Sequence, residues 1–396
     1  MRMPDYMQLS LSAPDITDAE REAVMAVLHT PQLSMGRFQR AFEEATCQVT
    51  GLRHALAVNS GTAGLHLCVR AAGIQRGDLV ITTPFSFVAS TNALLFEGAV
   101  PVFVDVDPRT GNMDPMMAAQ AARDISSGGS AARRWLPRKG GSPEGQLKAI
   151  LAVDVFGQPA DYDALSATCR QYGIKLIEDS CEALGAEYKS QPAGSLGDYG
   201  VFAYYPNKQI TTGEGGMVVT DDDKAAALMA ALRNQGRAPG DTWLQHTYLG
   251  YNYRMDELSA ALGAVQMTRL DELLAKRQQV ADWYEEALDG VPGIELPYVA
   301  DTTTRMSWFV YVIRLPKGTD RARVAHSLES RGVPVRPYFL PIHLQPYMVE
   351  QFGYQAGDFP VTEDLGARGL AIPFSGQLTR KEVDYVAHAL RSALQD

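Results

Sequence analysis

The sequence predicts an α/β fold, with a large domain on a mostly parallel sheet and a smaller α/β domain toward the C-terminus. Three observations predict it. Short, fully apolar, β-branched runs alternate with amphipathic helical stretches through the first half, which is the pattern of βαβ units. The 396 residues exceed the usual size of one domain, and 46% of them are hydrophobic, enough for more than one core. Beyond Pro292 the texture changes, and a shorter set of strands and helices follows.

Residues 55–59, 79–83, 101–106, 149–154 and 175–179 read as buried strands, being runs of Val, Ile, Leu and Ala bounded by polar turns. Residues 62–72 and 161–172 read as helices between them. Residues 200–205 and 216–220 add two strands. A helical pattern runs over 256–288 with no Gly or Pro after Gly263. In the last part, 307–315 reads as a strand, 321–331 as a helix, 333–338 as a strand and 380–394 as a terminal helix. We place the large domain at 1–270 and the small one at 271–396. Residues 124–146 are rich in Gly, Ser and Arg, and read as a mobile surface insertion. The sharper alternative is a basic flap that helps hold an anionic ligand.

Charge narrows the partners. Lys and Arg total 36 against 46 Asp and Glu, a formal net charge of −10. An acidic surface repels phosphate backbones and anionic lipid, so neither nucleic acid nor membrane is an expected partner. The longest apolar stretch, from Ala225 to Leu232, is far short of the roughly 18 residues a spanning helix needs. No secretory signal is read at the N-terminus, and the expected location is the cytoplasm. Four cysteines stand far apart with neither zinc-site spacing nor a disulfide pattern, so no metal is expected.

Chemistry concentrates between Ile177 and Thr220. A strand ends in Glu178-Asp179, and the carboxyl edge of a parallel sheet is where ligands sit. Further on, Lys208 follows another apolar strand and precedes the glycine cluster Gly213, Gly215 and Gly216. A lysine there is able to form a Schiff base with an aldehyde cofactor, and a carboxylate at the neighbouring strand end to hold a pyridinium proton. Asn59-Ser-Gly-Thr-Ala63 runs from a strand straight into a helix, and free N–H groups at such a start suit a phosphate. Phe85 or Phe87, in the turn TPFSFVAS, offers a stacking ring. Together these groups fit pyridoxal 5′-phosphate (PLP).

The sequence closely resembles the PLP-dependent sugar aminotransferases of the DegT/DnrJ/StrS type, a branch of the fold-type I aminotransferases. The resemblance rests on NSGTAGLHL, GDLVITTPFSFVAS, IEDSCEALGAEYKSQPAGSLGDYGVF, NKQITTGEGGMVVTDD, LGYNYRMDELSAALG and FPVTEDLGARGLAIPF, in that order along the chain. It implies that Lys208 carries the cofactor, that Asp179 meets the pyridine nitrogen, and that Gly61, Thr62 and Ala63 bind the phosphate. It implies Phe87 as the ring-stacking aromatic. Asn252 would reach the cofactor phosphate of a neighbouring subunit, in a homodimer with shared active sites. Tyr338 and His343 would approach the substrate.

The implied substrates are a nucleotide-linked keto-sugar and an amino-acid donor, glutamate or glutamine. The implied alternatives are an aminocyclitol or other cyclic ketone, and a non-catalytic regulatory protein on the same scaffold. The sugar dehydratases of the same fold carry histidine in place of Lys208. Two positions depart from the family pattern: Ala203 stands where a phosphate-binding serine is usual, and Glu182 where Gln or His faces the cofactor's phenolic oxygen. Glu182 is expected to be protonated there, because two anions in contact repel.

Overall fold

The computed structural model describes residues 7–142 and 145–395. Seven strands form the central sheet: β1 (His54–Val58), β2 (Leu79–Thr82), β3 (Val100–Phe103), β4 (Leu147–Val153), β5 (Lys175–Asp179), β6 (Tyr199–Ala203) and β7 (Gly216–Thr220). Their spatial order is β1-β7-β6-β5-β4-β2-β3. β7 pairs antiparallel with both neighbours, while β6, β5, β4, β2 and β3 are parallel. Each strand is a near-continuous apolar run because helices cover both faces of the sheet. Val153 pairs with Asp179, and Asp179 with Val201, so the carboxyl ends of three adjacent strands lie level. That edge carries the site.

Helix α1 (Gly61–Ala71) leaves β1 through Ser60, whose hydroxyl accepts from the Ala63 amide and caps it. A Cβ on Gly61 would lie 2.7 Å from the Ala203 Cβ and 2.9 Å from the Cys181 Sγ. Only glycine therefore lets this helix start come down onto the ends of β5 and β6.

The expected helix over 256–288 is two helices, α2 (Glu257–Thr268) and α3 (Leu270–Leu288). Arg269 interrupts them at φ −105°, ψ 7°, with its guanidinium bonded to Asp15, Glu20 and Glu272. Leu270, Leu273 and Leu274 pack in a core with Phe202, Tyr204 and Met217 of the large domain. Val280, Ala281, Tyr284 and Leu288 pack in a second core with Ile313, Leu370 and Leu390. One helix thus passes from one core to the other, and the change of core falls within α3 at about residue 277.

Two further readings change. The strand expected over 307–315 is confined to β8 (Tyr311–Arg314), which pairs with β9 (Gly369–Ile372), because Trp308 takes a left-handed φ of 47° that breaks extension. Residues 333–338 form no strand and make a single bridge, Arg336 to Ala371, since Pro334 and Pro337 have no N–H to donate.

Residues 124–146, read as a mobile insertion, are largely built into the fold. An alanine-rich helix, Pro115–Ser127, buries Ala118, Ala121 and Ala122, and a short helix Gly129–Arg133 follows. Trp135 Nε1 donates to Asp124 at 2.8 Å, and Arg138 donates to Asp358 at 2.7 Å. Residues 143 and 144 of this stretch lie outside the described residues. Among the described residues no helix is long and apolar enough to cross a membrane.

Glu257 opens α2 and is almost fully buried, yet it serves another helix. Its carboxylate accepts from the amides of Gly36, Phe38 and Gln39, the first turn of the helix Arg37–Thr50. Glu257→Ala strands two buried donors and a half-buried one, and is expected to destabilise the fold by about 2–3 kcal/mol. The check is the urea midpoint, with Glu257→Gln losing less.

Candidate active site

The carboxyl edge of the sheet opens into a cavity of about 410 Å³. Lys208, Asp179, Glu182, Gly61, Thr62, Phe87 and Tyr338 all line it. Side chains separated by up to 277 residues in sequence (Gly61 to Tyr338) therefore converge on one space.

Asp179 terminates β5 and is buried, with 4% of its surface exposed. One carboxylate oxygen accepts from Ser90 Oγ at 2.5 Å and the other from the Cys181 amide at 3.3 Å. Ser86 Oγ lies 2.8 Å from Ser90 Oγ, so two hydroxyls back the acid. A buried carboxylate held this way keeps lone pairs for one more donor from the cavity. Ser90 ends the TPFSFVAS segment, in the first turn of the helix Ala89–Phe96, and its link to Asp179 spans 89 residues.

Lys208 is nearly enclosed. Its Nζ lies 3.7 Å from Glu182 Oε1 and 3.7 Å from the centre of the Phe309 ring, a cation–π contact. Glu182 accepts from the Phe156 amide at 2.9 Å through its other oxygen. Burial pushes the Glu182 carboxyl above the usual carboxylate range, while the Lys208 ammonium and the Phe156 amide pull it back.

At the α1 start the amides of Gly61 and Thr62 stand in the first turn, where a helix supplies them no acceptor. The Ala63 amide is taken by Ser60. Phe87 is 63% exposed on the cavity rim, whereas Phe85 is buried against Phe156 and Phe339, which settles which of the two is free to stack.

Two expected residues stand elsewhere. His343 does not line the cavity. It is fully buried, with Nε2 3.0 Å from Glu363 Oε1 and its ring against Phe359, and burial lowers its pKa. The motif places it near the small domain's approach, but the backbone turns it into the core. Asn252 is exposed, outside this chain's own cavity, and its carbonyl accepts from Asn59 Nδ2 at 3.2 Å. No described residue of 124–146 lines the cavity, so the anion-holding flap is not formed there. Tyr205, Asn207 and Phe309 line it without having been singled out in the sequence. Among the described residues no cluster of metal-binding side chains occurs.

A carboxylate at a strand end, a lysine beyond the neighbouring strand and a helix start facing the same space form the donor set that PLP requires. Residues 14–391 match the DegT/DnrJ/EryC1/StrS aminotransferase family. The chain belongs to this family. It is a PLP-dependent aminotransferase.

Among its relatives is a GDP-perosamine synthase of Caulobacter vibrioides, 38% identical over 99% of this chain and 100% of the relative. The spore coat polysaccharide biosynthesis protein SpsC of Bacillus subtilis is 33% identical over 98% of this chain and 97% of its own. Among solved structures, Helicobacter pylori PseC, an aminotransferase involved in the biosynthesis of pseudoaminic acid, superposes with a TM-score of 0.86. It is 27% identical, covering 98% of this chain and 100% of its own.

Replacing the carboxylate beside Lys208 tests the pair. An ionised Glu182 favours the protonated state of its neighbours, so Glu182→Gln is expected to lower the pH at which the bound cofactor's absorption band titrates. An unchanged midpoint in the variant marks a protonated Glu182, the reading made from sequence.

Proposed function

We propose that the enzyme transfers an amino group from glutamate or glutamine to a nucleotide-linked keto-sugar, working as a homodimer with shared sites. The observation that carries this reading is the whole-length similarity to a GDP-perosamine synthase, joined to a cavity holding Lys208, Asp179 and the α1 start together. A retired, regulatory scaffold has no need for a buried lysine–carboxylate pair, which costs desolvation without a reaction to serve.

Bound in this cavity, PLP supplies a carbonyl carbon for amine exchange and a sink for the electron pair left when a proton departs the donor's α-carbon. Asp179 holds the proton of the pyridine nitrogen. Lys208 takes the proton from the donor's α-carbon and delivers it to the carbon that receives the amine; with the keto-sugar it runs the same transfer in reverse. Phe87 covers the ring. The amides of Gly61 and Thr62, with the helix dipole, hold the phosphate, the Ala63 amide being taken by Ser60. Ser60 Oγ accepts from Ala63, which leaves its own proton free to donate. That hydroxyl replaces the contact missing at Ala203. Tyr338, at the mouth from the small domain, meets the sugar.

Exposed apolar side chains near Asn252 support a second subunit. Trp243, Leu244 and Leu249 are 77%, 84% and 83% exposed on the segment just before Asn252. Apolar side chains grouped this way mark an interface, and their burial would bring Asn252 toward a neighbouring phosphate.

Borohydride treatment is expected to fix the cofactor on Lys208, and Lys208→Ala to lose transamination. A reduced adduct on any other lysine, read by peptide mass analysis, overturns the assignment. Mixing Lys208→Ala with Asn252→Asp under subunit exchange is expected to restore partial activity, since one hybrid site receives neither defect. For the substrate, the protein is loaded with the amine form of the cofactor and offered keto-sugars on different nucleotides. Return of the aldehyde absorption with a nucleotide keto-sugar, and not with a free cyclic ketone, supports the reading. The reverse pattern favours the cyclitol alternative.

A further inference from the structure

Arg277 is 4% exposed and, among the described residues, has no carboxylate within ion-pair distance. Burial pushes its pKa down to about 10. A guanidinium placed at such cost must be held by acceptors, and here they are all backbone carbonyls. One amino group donates to Asn207 O at 3.2 Å and to Lys208 O at 2.5 Å. The other donates to Trp308 O at 3.0 Å and Phe309 O at 3.2 Å. The first pair belongs to the loop that carries Lys208. The second belongs to the segment that brings the Phe309 ring to 3.7 Å from the lysine's Nζ.

Trp308 takes a left-handed φ of 47°, which a bulky side chain avoids unless its surroundings enforce it. The next residue on the helix, Gln278, accepts from the Trp308 indole at 2.8 Å. Two consecutive residues of α3 therefore hold the carbonyl and the indole N–H of Trp308. They do so where α3 leaves the core of the large domain and enters that of the small one.

We propose that Arg277 is a positioning residue for Lys208: it joins the lysine's loop to the Trp308–Phe309 segment, so that the amine swings from a fixed pivot between Phe309 and Glu182. The planar fork of the guanidinium serves both segments at once, which a lysine ammonium is too compact to do. The inference rests on Lys208 being the residue that carries the cofactor.

The test is Arg277→Ala with and without added guanidinium ion. Three readouts are taken: kcat against KM for the donor, the rate of reductive methylation of Lys208 in the cofactor-free protein, and the melting temperature. Misplacing a reacting group by about 1 Å costs on the order of a hundredfold, and a fall of that order in kcat is expected, with the donor's KM little changed. Methylation of Lys208 is expected to change in rate. Guanidinium is expected to restore both, and sodium chloride at equal ionic strength to restore neither.

Gln278→Leu, on an exposed side chain, and Phe309→Leu are expected to move the same two readouts less. A folded Arg277→Ala with wild-type kcat and methylation overturns the proposal, whatever its melting temperature. So does a loss that guanidinium leaves unrestored in the folded variant. If Arg277→Ala does not fold, wild-type behaviour in both Gln278→Leu and Phe309→Leu overturns it. Failure of the underlying assignment is separate and visible in the unmodified protein, as reduced cofactor on a lysine other than Lys208.

Discussion

Burial of a carboxylate at the end of β5 is the constraint to which the rest of the site answers. An acid in so little water is stable only if donors surround it. Ser90 and the Cys181 amide provide two, each fixing one oxygen of Asp179. Ser90 comes from the first turn of the helix Ala89–Phe96 that follows β2, which lies beside β4 and so two strands from β5. The parallel register thus sets the distance between acid and hydroxyl. The same level alignment of strand ends brings α1 down on Cys181 and Ala203, where Gly61 alone fits. Acid, helix start and lysine loop are consequences of one sheet edge.

A second constraint links this edge to the small domain. Helix α3 contributes leucines to one core and Val280, Tyr284 and Leu288 to the other, so neither core is complete without it. Arg277 sits at the crossing and spends its donors on carbonyls from both sides. Short, directional bonds from one guanidinium thus tie the carbonyls of the Lys208 loop to those of the Trp308–Phe309 segment. The strained backbone at Trp308 fits that position, since strain persists where surrounding contacts over-determine it.

Similarity to proteins named for amino-sugar synthesis agrees with the chemistry of the cavity. The two departures from the family pattern now have physical surroundings. Glu182 stands between a lysine ammonium and a backbone amide, a setting that tolerates an anion better than contact with a bare phenolate does. Ala203 lies directly beneath Gly61, and the cap residue Ser60 keeps a hydroxyl proton available beside it.

Much of this was legible in the chain itself. Apolar runs marked all seven strands of the sheet, because a strand covered on both faces has no polar position to disguise it. That Lys208, Asp179, Gly61 and Thr62 share one cavity was legible because the proposed chemistry needs particular residue types at strand ends. Periodicity is local, and its failures were failures of locality. It ran α2 and α3 together, since the break at Arg269 comes from partners at Asp15 and Glu20 that lie some 250 residues away. It overextended the strand after Ser307, since the turn at Trp308 is held by Arg277 and Gln278. His343 looked like a site residue because it sits in a promising stretch, and only the packing against Phe359 and Glu363 shows that it faces inward. Ser90 and Arg277 carried no signal, because a hydroxyl and a guanidinium acquire their roles from what the fold sets opposite them. The sequence by itself determined which reactive groups the cavity has; the tertiary structure decided what holds each of them still, because hydrogen-bond partners are chosen in space and not along the chain.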